Sequence, residues 1–136
     1  MIGIILLTHA ELGKEFIATI ELITGRTHKN LVFVPIDIKE DSEILNQNIQ
    51  KAILEVKTNK GIIIFVDMYG GTPSNLGYQF LEEDHIEVIA GLNLPILFKA
   101  VESRGKKDLK ELTKYLVEHG KKSISLGSDI LNGKKG

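Results

Sequence analysis

Apolar residues follow two rhythms along this chain. In "IGIILLT" (2–8) and "GIIIFVD" (61–67) they run almost unbroken, and in "LVFVPI" (31–36) and "EVIAG" (87–91) nearly so. Short runs rich in Ile and Val predict strands, and continuous apolarity predicts strands covered on both faces, as in a parallel sheet. Elsewhere the apolar positions recur every three or four residues, as on one face of a helix. Leu12, Phe16, Ile20 and Ile23 form one stripe, which Gly25 should stop. Leu45, Ile49, Ala52, Ile53 and Val56 form a second, after the polar start "KEDSE". Leu76, Phe80 and Leu81 belong to a short helix following "GGTPSN". The stretch "NLPILFKAVESRGKK" reads as a loop and a short helix. Leu109, Leu112 and Leu116 mark a last helix, capped by Asp108 with Glu111 and ended by Gly120. "KKSISLG" reads as a final short strand and "NGKKG" as a frayed end.

Strands alternating with helices predict an α/β fold, a doubly wound and mostly parallel sheet with helices on both faces. Proline cannot donate to a ladder, so Pro35 places the second strand at an edge. The strand order is then 2-1-3-4, the flavodoxin-like winding, with its switch point between strands one and three. With no internal repeat or linker, residues 1–130 read as one domain, and 131–136 as a flexible tail.

Composition narrows the classes. A chain of 136 residues that is 43% hydrophobic and 26% charged has the makings of one packed core rather than a disordered segment. Its net charge of −1, with both signs spread along the chain, gives no basic footprint for nucleic acid. It has no cysteine, so neither a disulfide framework nor a thiolate metal site is available. The first apolar run lacks the flanks of a signal peptide, and is far shorter than the roughly 20 residues that cross a bilayer. A cytoplasmic protein is expected.

In such a sheet, ligands sit outside the carboxyl ends of the strands at the switch point. "THAELG" follows the first strand and "DMYGGTPSN" the third, so His9 and Asp67 should face one another across one crevice. Thr8 and Glu11 have capping-box spacing, which would set His9 near the first helical position. Thr72 followed by Pro73 suits an N-cap with proline next. Two helix N-termini would then offer backbone N–H groups to an anion such as phosphate, and Gly70 and Gly71 would let the backbone approach it. A carboxylate on one imidazole nitrogen fixes the tautomer and frees the other nitrogen as a nucleophile. Together these features point to transient phosphorylation of His9. His28, His85 and His119 read as structural or solvated, and Thr8, Ser74 and Ser103 have no nucleophile-elbow context.

At "THAELG" and "VDMYGGTPSN", and again at "EVIAGLNLP", the sequence resembles the IIA component of the mannose family of the bacterial phosphoenolpyruvate-dependent sugar phosphotransferase system. The likeness runs through nearly the whole chain in the same order. It implies a doubly wound domain that dimerises by exchanging its last, antiparallel strand, for which "KKSISLG" is the candidate. It also implies that His9 is the phosphoacceptor, that Asp67 is its partner carboxylate, and that Thr72 is the hydroxyl after the glycine pair. Phospho-HPr would be the donor and a IIB component the acceptor, with membrane sugar-transport subunits reached indirectly and no metal or cofactor required. Nothing in the chain resembles a linked IIB domain. The family histidine often precedes glycine, whereas Ala10 follows His9 here.

Three rivals share the fold. A flavodoxin-like nucleotide or flavin module would need a hydroxyl-rich phosphate loop after strand one, and "THAELG" is a poor one. A response-regulator receiver matches Asp67 but needs an acidic pair for magnesium where Thr8 and His9 stand. A phosphorelay to a dihydroxyacetone kinase keeps the chemistry and changes the pathway.

Overall fold

A computed structural model describes residues 1–133. Its sheet has four strands, β1 (Gly3–His9), β2 (Leu31–Ile36), β3 (Ile62–Val66) and β4 (Ile86–Ala90), all parallel and in the order β2-β1-β3-β4. Pro35 stands opposite Thr8 on the edge strand β2, where its missing N–H breaks no inner ladder.

Alternation along the two central strands divides the core. Ile4, Leu6, Ile63 and Phe65 face one way and meet α1 (Leu12–Thr24), α4 (Leu94–Ser103) and α5 (Leu109–Lys122). Ile5, Leu7, Ile62, Ile64 and Val66 face the other way and meet α2 (Ser42–Val56) and α3 (Thr72–Tyr78). Both faces are covered, which is why these runs carry no polar alternation. On α2 the expected stripe is buried at Leu45, Ile49, Ala52 and Val56, and only Ile53 is half-buried. On α1 the stripe is narrower than expected: Ile20 is buried, Phe16 is half-buried, and Leu12 and Ile23 are exposed.

Gly25 ends α1 in the left-handed conformation at φ +72° and returns its N–H to the Glu21 carbonyl. Asp108 caps α5 by accepting the Glu111 N–H at 2.8 Å.

Several expectations are corrected. The stretch after β4 does hold a helix and a loop, but the helix comes first: α4 runs ten residues, with Asn93 capping it through the Ile96 N–H and Pro95 in its first turn, and residues 104–107 form the turn that follows. Gly120 does not end α5, which runs to Lys122; a Cβ at Gly120 would stand 2.5 Å from Ile96 Cδ1, so this glycine serves helix–helix packing. Helix α3 stops at Tyr78, so Phe80 is only half-buried and Leu81 is exposed.

The "KKSISLG" segment forms no ladder among the described residues. Lys121 and Lys122 finish α5, residues 124–126 are irregular, and Gly127–Leu131 is a short helix, α6. The sheet described here is therefore wholly parallel. Of the expected tail, residue 131 closes α6, and 134–136 lie outside the described residues.

Candidate active site

The switch-point crevice forms where β1 outruns β3. Their pairing ends at Leu7 with Val66, so the His9 backbone N–H has passed the last rung of that ladder. The Asp67 carboxylate, one residue beyond β3, takes its place: Oδ2 accepts the His9 N–H at 2.8 Å. The same oxygen lies 2.8 Å from His9 Nδ1. Oδ1 accepts the Met68 N–H at 2.9 Å, which fixes the carboxylate from its own side. A carboxylate only accepts, so Nδ1 carries the proton and the neutral ring leaves the Nε2 lone pair open. The Asp67 side chain is 10% exposed and that of His9 40%, so the carboxylate is shielded while the imidazole reaches solvent.

The glycine pair sits against that open nitrogen. A Cβ built on Gly71 would stand 2.9 Å from His9 Cε1 and 3.3 Å from Nε2. Only a residue without a side chain lets the loop come this close. Gly70 is left-handed at φ +91° and donates its N–H to Ser74 Oγ at 3.3 Å. Ser74 is buried and helps set the loop. Its signal in the sequence is its place four residues after the turn glycine, a structural role rather than that of a nucleophile.

Three of the five expected site residues thus meet directly, since His9 and Asp67 bond each other and Gly71 abuts the imidazole; Gly70 shapes the turn just ahead of Gly71. Thr72 follows Gly71 as the first residue of α3 and is half-buried. Three local details differ from expectation. Gly71, extended at φ −90°, is the N-cap of α3, so Thr72 is already helical. His9 is not at a helix start but is the last residue of β1, paired with Ile36. The capping box does not form: Glu11 is the N-cap of α1 without a side-chain bond, and Thr8 Oγ1 accepts the Gly13 N–H at 2.8 Å. Helix α1 therefore turns one of its first N–H groups inward.

Ala10, between strand and helix, is left-handed at φ +48°. On the β2 side the site opens into a cavity of about 610 Å³, lined in part by the acidic residues Glu11, Asp37 and Glu40. Around the crevice, Leu12, Ile38, Met68 and Tyr69 are exposed apolar side chains. Tyr69 lies 6.3 Å from Tyr78, ring centre to ring centre. Among the described residues, no group of three or more His, Cys, Asp or Glu side chains is arranged to hold a metal ion.

The remaining histidines lie elsewhere. His28 is bonded to Thr24 Oγ1 at 2.8 Å, His85 donates its N–H to the Glu82 carbonyl, and His119 stacks on Tyr115.

Residues 3–117 match the EIIA-man family, described as PTS system fructose IIA component. The chain is 28% identical over 125 residues to the "PTS system mannose-specific EIIAB component" of Escherichia coli K12. That match takes in 90% of this chain but 38% of the relative, so the chain spans well under half of that protein's length. It is 29% identical over 132 residues to the "PTS system fructose-specific EIIA component" of Bacillus subtilis, covering 96% of this chain and 90% of the relative. The crystal structure of "phosphotransferase system component EIIA" from Streptococcus agalactiae superposes with a TM-score of 0.83 at 26% identity, over 94% of this chain and 98% of that one.

Proposed function

This chain belongs to the EIIA-man family of sugar phosphotransferase IIA components, and from that premise we propose that it accepts a phosphoryl group on His9 from phospho-HPr and passes it to a IIB component. One observation carries the reading: Asp67 Oδ2 holds His9 Nδ1 at 2.8 Å, which leaves Nε2 open beside Gly71.

The chemistry follows from that geometry. The Nε2 lone pair attacks the phosphorus of the donor's phosphohistidine in line. A bond forms from His9 Nε2 to phosphorus as the donor's nitrogen–phosphorus bond breaks, and that electron pair stays with the donor ring. The transition state is loose and metaphosphate-like, so the protein's task is positioning and charge stabilisation. Asp67 balances the positive charge that grows on the imidazole. The backbone N–H groups of Gly71 and Thr72 and the Thr72 hydroxyl receive the equatorial oxygens, a kind of contact worth about 10²–10³ in rate where one donor is removed. Transfer to IIB is the same step in reverse order. The donor is already activated, so this route needs no metal or nucleotide.

The exposed apolar side chains Leu12, Ile38, Met68 and Tyr69 suit a surface that meets two partners in turn, through the small interfaces of transient complexes. No described helix is long and apolar enough to cross a membrane; we place the protein in the cytoplasm, docking peripherally to membrane sugar-transport subunits. We further propose a homodimer in which the non-helical residues 123–126 of the "KKSISLG" segment pair with a second copy. The open edge of β4 and the exposed Ile124 and Leu126 support it.

Incubation with phosphoenolpyruvate and the general phosphotransferase proteins, followed by mass mapping, should place one phosphoryl group on His9. The His9→Ala variant should accept none while melting like the parent. Phosphorylation persisting in that variant would refute the assignment.

A further inference from the structure

We propose that the end of the sheet opposite His9 holds a binding pocket for a small, soluble, phosphate-bearing anion, walled by Lys60, Arg104, Lys106 and Lys107. A cavity of about 410 Å³ lies there, within the roughly 300–1,000 Å³ usual for small-molecule sites. These four cationic residues line it, together with one acidic residue, Asp108. The carboxylate is committed elsewhere, since its Oδ1 caps α5 through the Glu111 N–H.

Arg104 makes the case more than a patch of surface lysines. The residue is 4% exposed. Its guanidinium donates from Nη1 to the Ile2 and Asn30 carbonyls at 3.3 and 3.1 Å, and from Nη2 to the Lys29 carbonyl at 2.6 Å. All three acceptors are neutral. Among the described residues, no carboxylate lies within ion-pairing distance of it. A buried cation without a counter-charge is costly, and an anion in the adjoining cavity would supply that charge. Burial first, and then the Arg26 guanidinium, which is paired with Glu102, push Arg104 below its ordinary value. Lys107 is steadied over the Tyr115 ring, its Nζ 5.0 Å from the ring centre. Lys60 and Lys106 are exposed and make no ion pair among the described residues.

The pocket is separate from the crevice. Arg104 binds carbonyls just ahead of β1 and β2, whereas His9 ends β1. A seven-residue strand spans roughly 20 Å. A concave pocket of this size fits a free phosphorylated molecule better than a flat bilayer surface.

The test is a titration of the ¹⁵N-labelled protein with inorganic phosphate and with pyrophosphate at constant ionic strength, with chloride as control, read amide by amide. Saturable shifts are expected at Lys60, Gly105 and Lys106, tighter for pyrophosphate. The double variant Lys60→Ala/Lys106→Ala should weaken them at least tenfold while leaving any response at Gly71 unchanged, which separates this pocket from the His9 crevice. The proposal fails if shifts appear only in the 70–72 loop, if the double variant binds as the parent does, or if vesicles containing phosphatidic acid capture the protein while free pyrophosphate does nothing.

Discussion

His9 Nδ1 and Asp67 Oδ2 lie 2.8 Å apart, and the same oxygen also accepts the His9 backbone N–H at 2.8 Å. One carboxylate oxygen therefore fixes both the end of the strand and the orientation of the ring it presents. Backbone and side chain of His9 are locked together across 58 residues of sequence.

Asp67→Asn replaces an acceptor by a group that can donate to Nδ1. The wrong tautomer would then be favoured, with the proton on Nε2. Phosphoryl uptake from phospho-HPr is expected to slow by about 10²–10⁴-fold without vanishing, measured by rapid quench. An unchanged rate would reduce Asp67 to a structural cap of the β1 end.

Gly71→Ala isolates the contact with the imidazole. Gly71 has φ −90° and ψ 176°, which alanine adopts without strain. The collision is with the His9 ring alone, whose Cε1 would be 2.9 Å from the new Cβ. Displacing the ring by about 1 Å should cost on the order of 10²-fold in transfer rate, while the denaturation midpoint stays near that of the parent. Loss of rate with full unfolding would instead point to a backbone role.

Ala10→Gly should stabilise the protein. At φ +48° the alanine Cβ crowds the carbonyl that follows, and glycine relieves this. After the added chain entropy of glycine is set against it, a net gain of about 0.5–1 kcal/mol is expected in chemical denaturation. It also gives a physical reason for the glycine often found beside the family's histidine.

His28 should make stability depend on pH. Desolvation by burial, followed by the Arg26 and Arg104 charges, lowers its value below 6.5, against weaker raising effects from Glu21 and Glu102. The unfolded chain then binds the proton more tightly than the folded one. Stability is complete above the unfolded value, falls as pH drops below about 6.5, and levels off below the folded value. In melting curves between neutral and mildly acidic pH, His28→Gln should show a smaller acid loss than the parent. Equal losses would assign the effect to other groups.

Much of this architecture was legible in the pattern of residues. Unbroken Ile and Val runs gave buried parallel strands, and Pro35 gave the edge and hence the order. The meeting of His9 with Asp67 followed from where a doubly wound sheet puts its strand ends. Misreadings arose where packing overrode a local signal. Gly120 looks like a helix stop because glycine often is one, but it stays inside α5 because Ile96 occupies the space a side chain would need. Thr8 has the spacing of a capping box, yet its hydroxyl is drawn to Gly13 because β1 continues through His9.

The amino-acid sequence by itself determined the strand order, the two-faced core and the pairing of an imidazole with a carboxylate, because periodicity and proline act through short-range sterics and burial. Only the tertiary structure decided which ring nitrogen stays open, that Gly71 rests against it, that Ala10 is left-handed, and that Arg104 lies buried among carbonyls. Those outcomes depend on distances between segments tens of residues apart, and such distances exist only once both faces of the sheet are packed.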